Sequence, residues 1–156
     1  IIPQKIWMEF TNAGFEGLDT SRINIWGSAL NYISDNPIFG SGAGSFTSRF
    51  ISETGFYKGH SHNLILEIAV SYGLPVAISI SIFLIYILFL SSRKIELFKE
   101  LEYKKIDFFE RAWITSFIVL LILNMVDVQY LDIRISLAFW IILAGMKNII
   151  SVNEKL

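Results

Sequence analysis

At 156 residues, 53% hydrophobic and 15% aromatic, with a mean hydropathy of +0.53, the chain is too apolar for an ordinary soluble domain, and a bilayer is its expected solvent. A net charge of -1 leaves no surplus of basic residues to release counterions from a nucleic acid, so a DNA- or RNA-binding module is set aside. Cysteine is absent, which removes disulfides and thiolate metal sites.

Residues 1–67 carry mixed charges and eight of the ten glycines, and read as the water-facing part. Asp19 or Thr20 is placed to cap a helix running to about Ser34, where Asp35-Asn36-Pro37 stops it. Ile23, Trp26, Leu30 and Ile33 recur at helical spacing in it, with Arg22 one turn before Trp26. That face suits a membrane surface with Trp26 at the interface, and equally a soluble core. Next, Gly40-Ser41-Gly42-Ala43-Gly44 invites a phosphate-loop reading, but the third glycine of the dinucleotide pattern and the Gly-Lys-Ser/Thr ending of the P-loop are both missing. A flexible turn, its glycines supplying positive φ and close backbone approach, fits better. Ser45 then reads as the cap of a short turn carrying Phe46, Arg49 and Phe50.

Ile68 to Ser92 is a run of 25 residues without a charge, interrupted by Pro75. The pattern predicts an amphipathic or partly inserted helix over 61–72, a break at Gly73-Leu74-Pro75 and a spanning helix from Pro75 to about Ser91. Residues 93–111, with six Lys or Arg among five acids, form a charged connector. The runs 112–126 and 135–146 are each read as transmembrane, lengthened by flanking apolar residues, against a reading as buried helices of a soluble bundle. Between them Asp127 to Asp132 is a hairpin loop. Counting basic residues in the short loops puts the connector in the cytoplasm, and residues 1–67 and the hairpin tip outside it.

The side chains on the outer side suited to proton or phosphate chemistry are Arg22, Arg49, Lys58, His60, His62, Glu53 and Glu67. Histidine is the natural general base near neutral pH. His62, followed by Asn63 at a helix start that favours anions, is well placed for the role, and fits equally a surface histidine that caps or anchors the helix. His60 and His62 as paired metal ligands find no third ligand at a recognisable spacing. Gly59-His60-Ser61-His62-Asn63 lacks the last glycine and the strand of a serine-hydrolase elbow.

His62-Asn63, nine intervening residues and Gly73-Leu74-Pro75 resemble the His-Asn/Ser/Gln-x9-Gly-x-x-Gly/Thr/Tyr motif of the bacterial O-antigen ligase and polymerase superfamily, with Val76 departing at its last position. Ser21-Arg22 with Trp26, then Asn36-Pro37-Ile38-Phe39-Gly40-Ser41-Gly42, resemble the same family's approach to that histidine, so the likeness covers about residues 20–92. The resemblance implies an all-α, polytopic, GT-C-like glycosyltransferase of the bacterial inner membrane. Such enzymes move a glycan from an undecaprenyl-diphosphate carrier to a hydroxyl on lipid A core, a growing polysaccharide or a protein, with no metal or other cofactor. It maps the essential periplasmic histidine on His62 and the motif arginine on Arg22; a second periplasmic arginine corresponds to Arg49, though no motif fixes that match. Asn63, Glu67 and His60 stand as supporting residues.

The chain is therefore expected to be the C-terminal part of such an enzyme, inactive alone. Residues 1–67 are periplasmic, 68–150 form a membrane domain of about three transmembrane helices, and 151–156 a cytoplasmic tail. A single displacement with inversion fits, because no carboxylate pair at a recognisable spacing supports a retaining route. The alternative class is a transporter subunit, which would bury charges at mid-membrane, whereas residues 76–91 hold none.

Overall fold

The computed structural model describes residues 22–100 and 108–151. Those residues are all-α: helices α1 Arg22–Asp35, α2 Ser45–Thr54, α3 Leu64–Tyr72, α4 Leu74–Glu100, α5 Phe108–Val126 and α6 Ile133–Ser151, with a 3-10 turn at Gln129–Leu131. The expected cap at Asp19 or Thr20, most of the charged connector's second half and the tail after Ser151 lie outside the described residues.

The first three helices and the start of α4 share one core. Ile25, Ala29, Tyr32 and Ile33 of α1 meet Phe46 and Phe50 of α2 and Val70 of α3, and the Tyr32 and Phe46 rings tilt together at 5.8 Å. The α1 face differs from the expected one. Ile23 and Leu30 point outward, while Trp26 packs against the core. α1 is apolar on more than one stripe, so the partner helices and not the periodicity select which stripe is buried.

The glycine turn is not flexible. Ser41 and Gly42 N–H donate to the Val70 and Ser71 carbonyls at 2.8 and 3.0 Å, and Leu74 N–H donates to the Pro37 carbonyl at 2.8 Å. Backbone passes so close to backbone that a Cβ on Gly40 would lie 2.5 Å from the Ser71 carbonyl carbon, and one on Gly73 only 2.1 Å from the Ile38 oxygen. Both residues also have positive φ, which makes glycine the fitting residue twice over. The Ser41 and Gly42 amides are consumed by α3, so they are not free to cradle an anion. Ser45 is the first residue of α2 and does not cap it; Gly44 precedes the helix without a side-chain cap.

Gly73 alone separates α3 from α4, and Pro75 falls in the first turn of α4, where its missing N–H costs nothing. α4 runs on to Glu100, past the expected end near Ser91, because residues 92–100 contain neither Gly nor Pro to stop it. Among the described residues, two helical segments are long and apolar enough to cross a membrane, Leu74–Arg93 and Ile133–Ser151. α5 has 19 residues and packs with both through Ile114, Phe117, Leu84, Phe139, Leu143 and Met146. Ile82, Ile85 and Leu137 face outward.

Candidate functional site

The site forms where the loop before α3 meets the tip of the α5–α6 hairpin. Asn63 caps α3, its side-chain oxygen accepting from the N–H groups of Ile65 and Leu66 at 3.0 and 3.1 Å. Its amide nitrogen donates to the Met125 carbonyl at 3.1 Å, tying this cap to the end of α5. Glu67 reaches back to accept from Ser61 N–H at 2.8 Å, and the fully buried Ser61 donates from its hydroxyl to the Asn63 carbonyl at 3.1 Å. Four groups thus fix the backbone on either side of His62. His62 itself has φ 55, the one non-glycine with positive φ among the described residues, a conformation uncommon for a side-chain-bearing residue and concentrated at functional sites.

This strained backbone aims His62 Nδ1 at Asp127 Oδ1, 3.0 Å away and 65 residues along the chain. Burial pushes the Asp127 carboxyl up, but the hydrogen bond from His62 and the neighbouring imidazoles outweigh it and hold the group below its ordinary value. A carboxylate only accepts, so His62 Nδ1 carries a ring proton, and in the neutral imidazole Nε2 is then the nitrogen with the lone pair. His62 Nε2 has no hydrogen-bond partner among the described residues, and the side chain is 28% exposed. His60 lies edge-on to His62, ring centroids 4.4 Å apart. Its Nδ1 accepts the His62 backbone N–H at 3.2 Å, and its Nε2 is 3.6 Å from Asp127 Oδ1. Burial, then His62, lowers the His60 pKa from its ordinary 6.5, against the pull of Asp127 and Glu67. The arrangement is a histidine oriented by a carboxylate, with a second imidazole bracing both.

His60, His62 and Asp127 also present ligand atoms within 4.8 Å of one another, so the missing third ligand of the sequence reading exists, supplied by the distant hairpin. The donor set fits a metal poorly. To ligate through Nε2, a neutral His60 would carry its proton on Nδ1, the atom that accepts the His62 amide.

Beside the site, between α3, α4 and α6, lies a groove of about 440 Å³ whose apolar wall includes Leu64, Ile68, Tyr72, Val76, Tyr130 and Trp140. A family model described as O-antigen ligase matches residues 4–81, half of the chain. The chain belongs to the O-antigen ligase family. No curated protein and no solved structure matches it. Membership makes it a glycan-transfer type of protein of the inner membrane acting on glycan or lipid-linked substrates. The O-antigen ligase match takes in α1 to α3 and the first turns of α4, and with them His60, His62, Asn63 and Glu67; Asp127 falls beyond it.

The expected site residues divide into two groups. His62, His60, Asn63 and Glu67 come together. Arg49 is engaged elsewhere: it pairs with Asp35, lies 4.1 Å over the Tyr32 ring and reaches Ser41 Oγ at 3.4 Å. Arg22, on the exposed start of α1, has no ion-pair partner among the described residues. Asp127 is the residue the sequence reading passed over, and its one signal was indirect: an acid at the tip of a hairpin assigned to the same side of the membrane as His62.

Proposed function

We propose that this chain is the C-terminal part of a membrane glycosyltransferase of the O-antigen ligase or polymerase type. The enzyme transfers a glycan from an undecaprenyl-diphosphate donor to an acceptor hydroxyl on the periplasmic side of a membrane spanned by α4, α5 and α6. The observation that carries the reading is the His62–Asp127 contact, which engages Nδ1 and leaves Nε2 without a partner among the described residues, two residues before Leu64 in the wall of an apolar groove. His62 Nε2 takes the proton of the acceptor hydroxyl while its oxygen attacks the anomeric carbon from the face opposite the diphosphate. The old carbon–oxygen bond breaks, its electron pair leaves on the diphosphate, and the anomeric centre inverts. Asp127 holds the imidazole in the required tautomer and stabilises the imidazolium that forms.

Arg22 is the clamp for the departing diphosphate, offering a planar two-donor fork. The groove beside Leu64 accommodates the first isoprene units of the carrier. Arg49 keeps a supporting part, since Asp35 and Tyr32 already engage it. No metal takes part, so EDTA leaves transfer unchanged.

The test is transfer from a lipid-linked donor by the full-length enzyme carrying His62→Asn, a residue that tolerates positive φ. Turnover falls by about 10²–10⁴-fold with donor binding retained. A His62→Asn enzyme that turns over like wild type rules the base out.

A further inference from the structure

The turn between α1 and α2 exposes its two largest side chains and has no freedom to hide them. Phe39 is 86% exposed and Ile38 61%. The bonds from Leu74 N–H to the Pro37 carbonyl, and from Ser41 and Gly42 N–H to α3, bracket the pair, and the Ile38 carbonyl is wedged against Gly73. A loop fixed in this way cannot fold an apolar side chain back onto the core.

What the turn is fastened to identifies its surroundings. Leu74 is both the first residue of α4 and the first of the apolar segment Leu74–Arg93. Down α4 from that point Leu74, Val76, Ile78 and Ile82 are exposed and apolar, and the one exposed polar side chain among them, Ser79, turns its hydroxyl back onto the Pro75 carbonyl. On the other flank of the pair stand Asp35 and Asn36, exposed and polar. The pair sits where a polar surface gives way to the apolar face of a spanning helix, the level at which aromatic side chains gather in membrane proteins.

We propose that Ile38 and Phe39 dip into the interfacial layer of the bilayer beside the start of α4, and that this anchor sets the height of the His62–Asp127 pair above the hydrocarbon. The same backbone bonds that fix the turn also fix the end of α3, whose other end is capped by Asn63, next to His62. At 1.5 Å per residue, the nine residues of α3 that link the two ends are ~14 Å long. The occupant is lipid at the boundary between headgroups and acyl chains. The inference rests on the membrane reading of α4.

The experiment uses the full-length protein in phosphatidylcholine–phosphatidylglycerol nanodiscs, with single nitroxide labels at Phe39→Cys, Ile82→Cys and Ser52→Cys; these 156 residues contain no native cysteine. Collision rates with oxygen, which partitions into lipid, and with a water-soluble nickel chelate report depth. The label at 82 should read deep lipid, that at 52 water, and that at 39 a shallow lipid depth between them. If 82 reads lipid while 39 collides with nickel as freely as 52, or is shielded from both reagents by protein, the anchor is refuted and the membrane reading stands. If 82 itself reads water, both fall.

Discussion

Around α1, α2 and α3 the contacts that join one element to another are directional. Tyr32 donates to Glu53 at 2.7 Å across α1 and α2, Arg49 pairs with Asp35, and backbone bonds fasten the glycine turn to α3 and α4. In α4, α5 and α6 several polar side chains bond to their own helix instead: Ser81 to the Ala77 carbonyl, Ser91 to Ile87, and the Asn124 amide nitrogen to Leu120, though the Asn124 oxygen also accepts from Tyr130 N–H in the hairpin turn. Those helices are joined to one another by apolar packing, which fixes spacing but not the aim of any single side chain. The role proposed for His62 needs an atom aimed to a few tenths of an ångström, and the segment around α1, α2 and α3 supplies that. The inner helices contribute one carboxylate, Asp127, held through the Asn63–Met125 bond.

Breaking the joint between the two regions should have the largest effect. Asp127→Asn keeps the size of the side chain but offers an amide where His62 needs a carboxylate, and transfer should drop by roughly 10²–10⁴-fold with thermal stability little changed. Wild-type turnover in that variant would mean that the inner helices add nothing to the chemistry. Next in size, Gly73→Ala forces a Cβ to 2.1 Å from the Ile38 oxygen and should cost more than ~3 kcal/mol or prevent folding, whereas Gly42→Ala, with open space around it, carries only backbone strain of about 1 kcal/mol. Denaturation of both variants in detergent checks the ratio; equal costs would show that the close approach at Gly73 is relaxed in solution.

The two arginines sharpen the comparison at a smaller scale. Arg22→Lys should weaken donor affinity about ten- to a hundred-fold at unchanged stability, while Arg49→Lys should lower stability by about 1 kcal/mol, because a lysine cannot lie flat on Tyr32 and reach Asp35 together. Donor titration and thermal unfolding, run on both, separate a substrate contact from a structural one. An effect confined to alkaline pH is at Tyr32, whose hydroxyl is pushed up from 10.0 to about 12 by burial and by its bond to Glu53. The unfolded phenol ionises first as pH rises, so the stability tied to this group is complete below pH 10 and is lost between pH 10 and about 12. Tyr32→Phe should flatten the stability profile in that window, and an unaltered alkaline slope would assign it to other groups.

The features legible in the sequence were those written by neighbours. A helix start near Asn63, Gly73 as a break, Pro37 as a stop and the apolar run after Leu74 depend on bonds within a few residues, and chain order is enough to find them. The buried stripe of α1 was not legible, because Ile23, Ile25, Leu30 and Ile33 are all apolar and only the arrival of Phe46, Phe50 and Val70 decides among them. The partners of Arg49 were hidden for the same reason: Asp35 and Tyr32 are 14 and 17 positions away, a spacing that no local pattern marks. The spacing of His60 and His62 left the third member of the cluster unspecified, since Asp127 arrives by way of two helices.

The bond between His62 and Asp127 closes a loop of 65 residues, and a ribosome adding ~5–20 residues per second needs ~3–13 seconds to cross it. During that interval the imidazole has no Asp127 carboxylate to pair with. A chain stalled or truncated before the α5–α6 hairpin would carry the whole of the family match and still lack the carboxylate that orients His62. Pairing of His62 with Asp127 thus waits until the α5–α6 hairpin has been made, however early α3 folds.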